Sequence, residues 1–165
     1  MGEPVRVRRA TVDDVEARVD AYIAVAAEGR WIGGELPLDR DERIRAFTES
    51  ANGDDFVGFI AEADGGLVGE LSLHLRRGRG DIGMLVLDGW RSKGVGSALM
   101  RACIDHAREA GLHKLTLQVW PHNERAIALY EKFGFEREGY LRKHYRRKTG
   151  ELWDAISMGL VLVDD

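Results

Sequence analysis

The sequence of 165 residues contains a single cysteine, Cys103. One cysteine cannot form a disulfide within the chain, and it cannot supply a cysteine-based zinc site on its own. The sequence also lacks an apolar run long enough to cross a membrane, and its first residues do not resemble a signal peptide. We therefore expect a cytoplasmic protein without a metal site and without a membrane partner.

An excess of positive charge is also missing, since the net charge is −4. Nucleic-acid binding depends on basic surface, so this balance argues against a nucleic-acid partner. The charge is uneven along the chain, with acidic residues concentrated between 35 and 62 and a basic segment, "RKHYRRK", at 142–148. A short basic strand is usually a solvated edge that prevents aggregation.

Internal repeats, linkers and low-complexity segments are absent, which predicts one domain over residues 1–165. Alternating or apolar runs predict strands within 5–9, 55–63, 66–75, 81–87, 114–120, 138–147 and 152–163. Helical spacing follows Thr11, the loop near Pro37, Gly96 and Asn123. The predicted order is βααβββαβαββ, which indicates an α/β fold with a mixed sheet.

A glycine-containing segment, "RSKGVG" (91–96), lies between an apolar strand, "MLVL", and an amphipathic helix that Gly111 ends. Such a junction offers free backbone N–H groups to a phosphate, although a plain turn uses glycine in the same way. A Rossmann fingerprint fails because Leu99 replaces its third glycine, and a P-loop fails because Val95 replaces its lysine. Cys103 shares a helix face with Leu99, which predicts a core position.

A third pattern fits, in which Val86 and Arg91 precede Gly94 and Gly96. Downstream, "NERAIALYEKFGF" (123–135) adds an Asn, a Tyr and a Gly-Phe pair at a matching distance. Together these blocks resemble the GCN5-related N-acetyltransferase (GNAT) family, and the last segments resemble its ribosomal-protein N-terminal acetyltransferase branch. The resemblance implies a GNAT-type sheet, with a bulge in strand four that splays it from strand five, and acetyl-CoA as cosubstrate.

The resemblance also implies roles for individual residues. The strand-four backbone would bind pantetheine, the Val86 amide would stabilise the oxyanion, and loop amides would bind pyrophosphate. Asn123 would contact the cofactor, cap its helix, or both. The implied cofactor-binding residues are Leu85, Val86, Leu87, Arg91, Ser92, Lys93, Gly94, Val95, Gly96, Ser97 and Asn123.

Tyr130 is the implied catalytic acid, because a phenol can protonate the departing thiolate. The alternative for Tyr130 is an aromatic side chain that only packs. The resemblance does not identify the general base. The position of the strand-five glutamate of the related branch is occupied here by Gln118, and an amide cannot take a proton. The alternatives are a chain of water molecules, which we rank first, or one of the side chains Asp81, Glu70, His74 and Glu35.

The acceptor is predicted to be a primary amine, drawn by an acidic rim near Glu35 and Trp31. Strand alternation would place Arg142, His144 and Arg146 on one face of the basic segment, opposite Lys143, Tyr145 and Arg147. That segment could bind a carboxylate, a peptide backbone or the CoA 3′-phosphate. The alternative functions are a non-catalytic acyl-CoA sensor and a nucleic-acid partner, and a homodimer is one arrangement compatible with the resemblance.

Overall fold

The computed structural model describes residues 4–164. Within them the helices and strands follow the predicted order βααβββαβαββ, with one added 3₁₀ turn at Val12–Asp14. The elements are β1 (Arg6–Arg9), α1 (Val15–Ala27), α2 (Arg40–Asn52), β2 (Phe56–Ala63), β3 (Gly66–Arg76), β4 (Arg79–Val86), α3 (Val95–Glu109), β5 (Lys114–Val119), α4 (Glu124–Lys132), β6 (Glu136–Arg146) and β7 (Leu152–Val161).

The sheet has seven strands in the order β1-β2-β3-β4-β5-β7-β6, and its central pair, β4 and β5, is parallel. This parallel pairing covers only Arg79–Asp81 against Lys114–Thr116, after which the two strands separate. The predicted splay is therefore confirmed. The expected bulge in strand four is wrong, because β4 pairs with β3 in unbroken register from Arg76↔Arg79 to Gly69↔Val86.

Helices cover both faces of the sheet. Helix α3 buries Leu99, Met100 and Cys103 in the main core, where all three side chains have no exposed surface. Helix α1 packs Ala21 and Val25 against Leu85 of β4 on the other face. The predicted core position of Cys103 is confirmed, and burial raises the pKa of its thiol to about 12.

The hairpin of β6 and β7 does not alternate as predicted. Its register shifts between Leu141 and Tyr145, where Lys143 adopts a positive φ of 48° and its amide donates to Asp154 Oδ1 at 2.6 Å. A bulge adds unpaired residues to one strand and changes which side chains share a face. The ring centroids of His144 and Tyr145 are 4.8 Å apart, so the expectation that they lie on opposite faces of a regular strand is wrong.

The part of the chain described by the structure contains no helix long and apolar enough to cross a membrane. The same residues contain no group of three or more His, Cys, Asp and Glu side chains that could hold a metal ion.

Candidate active site

The loop between β4 and α3 presents unpaired backbone donors. Gly94 is the N-cap of α3 and has a φ of 87°, in the left-handed region that favours glycine. The Ala98 N–H donates to the Gly94 carbonyl at 3.0 Å, and this is the first hydrogen bond of the helix. The amides of Val95, Gly96 and Ser97 therefore lack intrahelical acceptors, and the positive end of the helix dipole lies beside them.

Arg91 fastens this loop to two other elements. Its Nε donates to the Val86 carbonyl at 3.0 Å, and its two terminal nitrogens donate to the Glu28 carboxylate at 2.6 and 2.7 Å. Glu28 follows the last residue of α1, and the pair lowers the pKa of Glu28 through its hydrogen bonds with Arg91. Sequence reasoning identified Arg91 and missed Glu28, which no motif contains.

The end of β4 exposes backbone groups where β5 has diverged. The Leu87 N–H donates to the Val68 carbonyl of β3 at 2.9 Å. Because hydrogen-bonded pairs alternate along an antiparallel ladder, the amides of Leu85 and Leu87 point toward β3, whereas those of Met84 and Val86 point into the gap. The Val86 amide therefore has the direction that an oxyanion donor requires. Leu85 faces the gap only with its side chain.

Two clefts meet in this gap. The loop cleft is lined by Val86, by six of the eight residues from Trp90 to Ser97 and by the first turns of α4. The aromatic cleft has a volume of about 420 Å³ and is walled by ring side chains. These are Tyr22, Trp31, Phe47, Phe56, Trp120, Tyr130 and Tyr145. Both clefts are lined by Trp31, Ile32, Met84, Leu85, Asn123 and Tyr130, so they form one continuous passage.

Tyr130 lies at the junction of the two clefts. It is 7% exposed, and its ring centroid is 5.9 Å from that of Phe135. Burial raises the pKa of Tyr130 to about 12, so the phenol stays protonated at neutral pH. Asn123 caps α4, since its Oδ1 accepts the Ala126 N–H at 3.3 Å, and the same residue lines both clefts. Capping therefore does not remove Asn123 from the site.

The other predicted loop residues divide into two groups. Ser92, Gly94, Gly96 and Ser97 line the loop cleft. Val95 is 1% exposed in the core, and the Lys93 ammonium lies 5.5 Å from the centroid of the Trp90 ring, so neither side chain lines the cleft. Gly96 has a packing reason as well, because a Cβ there would lie 2.8 Å from Leu129.

Comparison with known proteins gives the family. The sequence profile of the acetyltransferase (GNAT) family matches residues 21–135, which is more than half of the chain.

The chain belongs to the GNAT acetyltransferase family.

Several relatives extend this result. The L-amino acid N-acetyltransferase AaaT of Escherichia coli is 37% identical over 62% of this chain and 66% of that protein. An L-methionine sulfoximine/L-methionine sulfone acetyltransferase of Pseudomonas aeruginosa is 28% identical over 94% of each chain. These named relatives and the family match identify the protein as an acetyl-CoA-dependent N-acetyltransferase, and they do not favour the alternative of a non-catalytic sensor.

Solved structures agree with the family. The ribosomal-protein-alanine N-acetyltransferase of Brucella melitensis has a TM-score of 0.84, 30% identity, and coverage of 95% of this chain and 99% of that chain. An acetyltransferase of Salmonella typhimurium, solved with its cofactor acetyl-CoA, has a TM-score of 0.86 at 23% identity and coverage of 99% and 96%. The resemblance to this family and its ribosomal-protein branch is confirmed.

Only two of the four side chains considered as the base of this acetyltransferase line the aromatic cleft. Glu70 and His74 line the aromatic cleft, whereas Asp81 and Glu35 do not. Burial opposes ionisation of Asp81, but hydrogen bonds from Thr116 and Arg79 outweigh it and lower its pKa. Gln118 also lines the aromatic cleft, where its side-chain oxygen accepts a hydrogen bond from the Tyr145 hydroxyl.

The predicted acidic rim is wrong. Glu35 is paired with Arg147 at 3.5 Å and accepts the Lys148 amide at 3.0 Å. Asp39 caps α2 by accepting the Glu42 amide. Among the described residues that line the aromatic cleft of the acetyltransferase, Glu70 is the only carboxylate.

The basic segment is structural rather than a solvated edge at its C-terminal end. The Arg147 guanidinium is buried and lies 4.2 Å from the Trp153 ring centroid and 5.4 Å from that of Trp120. Lys148 Nζ donates to the carbonyls of Glu35 and Pro37 at 2.9 and 3.1 Å. The β6–β7 hairpin thereby clasps the loop between α1 and α2, and both contribute to the wall of the aromatic cleft.

Proposed function

We propose that this chain transfers the acetyl group of acetyl-CoA to a primary amine by direct attack within a ternary complex. The single observation that carries the proposal is the continuous passage through the gap between β4 and β5. One cleft offers backbone donors for a cofactor and includes Val86, the other is walled by aromatic rings for an acceptor, and Tyr130 lines both.

The loop cleft would hold coenzyme A. The amides of Val95, Gly96 and Ser97 would bind the pyrophosphate, assisted by the turn from Arg91 to Gly94. The backbone of Met84 and Val86 would pair with pantetheine as an added strand, because β5 leaves that edge open. Leu85 would contribute its side chain to the cleft, whereas the Leu87 amide is already bound to Val68.

The chemistry follows from this placement. The amine nitrogen attacks the thioester carbonyl, and the oxyanion that forms accepts the Val86 N–H, which points into the gap. Collapse of the intermediate breaks the C–S bond, and the departing thiolate needs a proton. Tyr130 would supply it, since its raised pKa keeps the hydroxyl protonated throughout the neutral range.

The acceptor would carry an apolar side chain. Aromatic and aliphatic residues make up most of the walls of the aromatic cleft, and such walls favour large apolar groups over extended charged ones. Relatives that are named for L-amino acids and for methionine derivatives fit an amine of this kind. We therefore propose an amino acid or a peptide N-terminus with an apolar side chain as the substrate class.

A CoA-release assay tests the proposal. Purified protein with acetyl-CoA is offered L-phenylalanine, L-methionine sulfone, peptides with apolar N-terminal residues and polyamines. We expect free CoA to appear with the apolar amines and the acetylated amine to be found by mass spectrometry. Tight acetyl-CoA binding without turnover on any amine would instead identify a sensor. Preference for polyamines would refute the apolar acceptor.

A further inference from the structure

We propose that Glu70 is the general base that takes the proton from the acceptor ammonium, and that Arg18 positions it. The inference rests on the proposed function, because it assigns the proton acceptor for that reaction.

Glu70 lies next to the expected site of attack. On β3 it is directly opposite Leu85 of β4, and Leu85 lies between the two residues whose amides point into the gap, Met84 and Val86. Paired Cα atoms in an antiparallel ladder are about 5.5 Å apart at a hydrogen-bonded pair. The carboxylate is therefore attached one strand away from the proposed thioester site, and it lines the aromatic cleft.

Arg18 fixes one oxygen of Glu70 and leaves the other open. Arg18 Nε donates to Glu70 Oε2 at 2.5 Å, and the guanidinium is stacked between Phe47 and Phe56 with centroid distances of 5.0 and 4.9 Å. Within residues 4–164, Arg18 Nη1 is the only fully buried side-chain nitrogen or oxygen without a hydrogen-bond partner. Glu70 Oε1 also has no hydrogen-bond partner among these residues, but it is not fully buried. Because Glu70 lines the aromatic cleft, this oxygen is open to the cleft.

The surroundings of Glu70 suit a base. Burial raises the pKa of its carboxyl, and Arg18 acts in the opposite direction. Among the described residues of α1, Arg18 and Tyr22 line the cleft, and Arg18 is the only cationic side chain of the two. Helix α2 contributes Phe47 and Ser50, β2 contributes Phe56 and Ile60, and β4 contributes Gly83 and Leu85, none of which is charged.

The remaining titratable groups of the cleft are His74, on the same strand as Glu70, and the phenols Tyr130 and Tyr145 across the cleft. His74 is exposed and packs on the ring of Phe56 at 5.4 Å. Glu70 is therefore the group in the cleft that combines negative charge with burial, and a raised carboxyl pKa brings its basicity closer to that needed near neutral pH.

The protons balance in this scheme. The acceptor ammonium gives one proton to Glu70 Oε1, and its nitrogen lone pair forms the C–N bond while the carbonyl π pair moves to oxygen. Collapse breaks the C–S bond, and Tyr130 protonates the sulfur. The second proton of the amine nitrogen restores Tyr130, and Glu70 releases its proton to water in the open cleft.

The test compares pH–rate profiles of the wild type, Glu70→Gln and His74→Gln, with acetyl-CoA and L-methionine sulfone or L-phenylalanine as probes. In Glu70→Gln we expect kcat/KM to fall by ~10²–10⁴ at neutral pH. We also expect the wild-type plateau to be replaced by a rate that rises with hydroxide up to the pKa of the amine. His74→Gln removes the other candidate base of the cleft and should keep the plateau even where the KM for the amine changes, and acetyl-CoA affinity should stay unchanged in both.

The second measurement is the pH–rate profile of Arg18 variants. A purely structural ion pair between Arg18 and Glu70 would not shift that profile. In Arg18→Gln the acidic limb of the profile should move upward by about 1 pH unit or more, because the carboxylate loses its positive partner. Arg18→Lys keeps the charge and should restore the limb, and it covers the case in which Arg18→Gln does not fold.

The outcomes separate the two proposals. An unchanged pH profile in folded Glu70→Gln, with chemistry rate-limiting, would overturn the base and leave acetyl transfer intact. A loss of activity in Glu70→Gln that leaves the profile shape unchanged would make Glu70 structural. Failure of the wild-type protein to acetylate any amine would overturn the proposed function itself, and the base with it.

Discussion

The Arg91 side chain and the Val86 backbone are joined by a hydrogen bond of 3.0 Å from Nε to the carbonyl oxygen. This bond occupies the carbonyl of Val86 and leaves its amide directed into the gap. The side chain that closes the loop thus also holds the residue whose amide would stabilise the oxyanion. The position of the Arg91 side chain depends on Glu28, whose carboxylate accepts hydrogen bonds from both terminal nitrogens of the guanidinium.

Removing the hydrogen bonds of Arg91 to Val86 and Glu28 should weaken cofactor binding. In Arg91→Ala we expect the Kd for acetyl-CoA to rise by roughly tenfold, since a hydrogen bond to a charged group contributes about 1.5 kcal/mol or more. Glu28→Gln keeps the Val86 contact and should raise the Kd less. Isothermal titration calorimetry with acetyl-CoA measures both values. Equal affinities in all three proteins would show that the loop does not depend on Arg91.

The two loop glycines should fail in different ways. Gly94 has open space around its missing Cβ but a φ of 87°, so Gly94→Ala strains the turn by ~1–2 kcal/mol and should weaken acetyl-CoA binding. Gly96→Ala instead forces a Cβ to 2.8 Å from Leu129 and should chiefly lower the thermal stability of the free protein. Thermal melts with and without acetyl-CoA distinguish the two, and full affinity in a folded Gly94→Ala protein would contradict the phosphate assignment.

Tyr130→Phe should remove acid catalysis and little else. The variant keeps the ring that packs on Phe135 and removes only the hydroxyl, so the free energy of unfolding should change by less than about 1 kcal/mol. The turnover number should fall by ~10²–10⁴ if the acid is fully lost. Because burial raises the pKa of Tyr130 to about 12, the wild-type rate should not decline through ionisation of this group below pH 10. An unchanged rate in the phenylalanine variant, with chemistry rate-limiting, would exclude the role.

The clasp between the hairpin and the α1–α2 loop should affect the acceptor alone. In Lys148→Ala the bonds from Nζ to the carbonyls of Glu35 and Pro37 are lost. We expect the KM for the amine to rise by roughly threefold to tenfold, since each such bond contributes about 0.5–1.5 kcal/mol, while acetyl-CoA affinity is unaffected. Lys132→Ala, on the exposed surface of α4, is a matched control. A parallel loss of cofactor affinity would show that the clasp supports the whole fold.

The sequence predicts the parts of this protein that depend on local chemistry. Gly94 and Gly96 mark a strand-to-helix junction, and Asn123 starts the helix that carries Tyr130, because turns and caps need particular residues at particular positions. The order of elements follows from the periodicity of apolar residues and the splayed strand pair from the resemblance that these motifs carry, and both are confirmed.

The side-chain pairs of the site form only in the tertiary structure, so they cannot be predicted from the sequence. Arg91 meets Glu28 from 63 residues away, and Lys148 meets Glu35 from 113 residues away, so no local spacing connects them. The acidic rim failed for this reason: charge counted along the chain does not show which carboxylates are already paired. The bulge at Lys143 likewise reverses a face assignment that regular alternation had predicted.

Because Cys103 is buried, its reactivity reports how often the core between α3 and the sheet opens. The thiol has no exposed surface and a pKa of about 12, so a maleimide or disulfide reagent can reach it only when α3 leaves the sheet. Its labelling rate in the native protein therefore measures how often the central core opens, without an engineered probe. The same shielding means that a thiol-reactive dye can count released coenzyme A while the folded protein contributes no background.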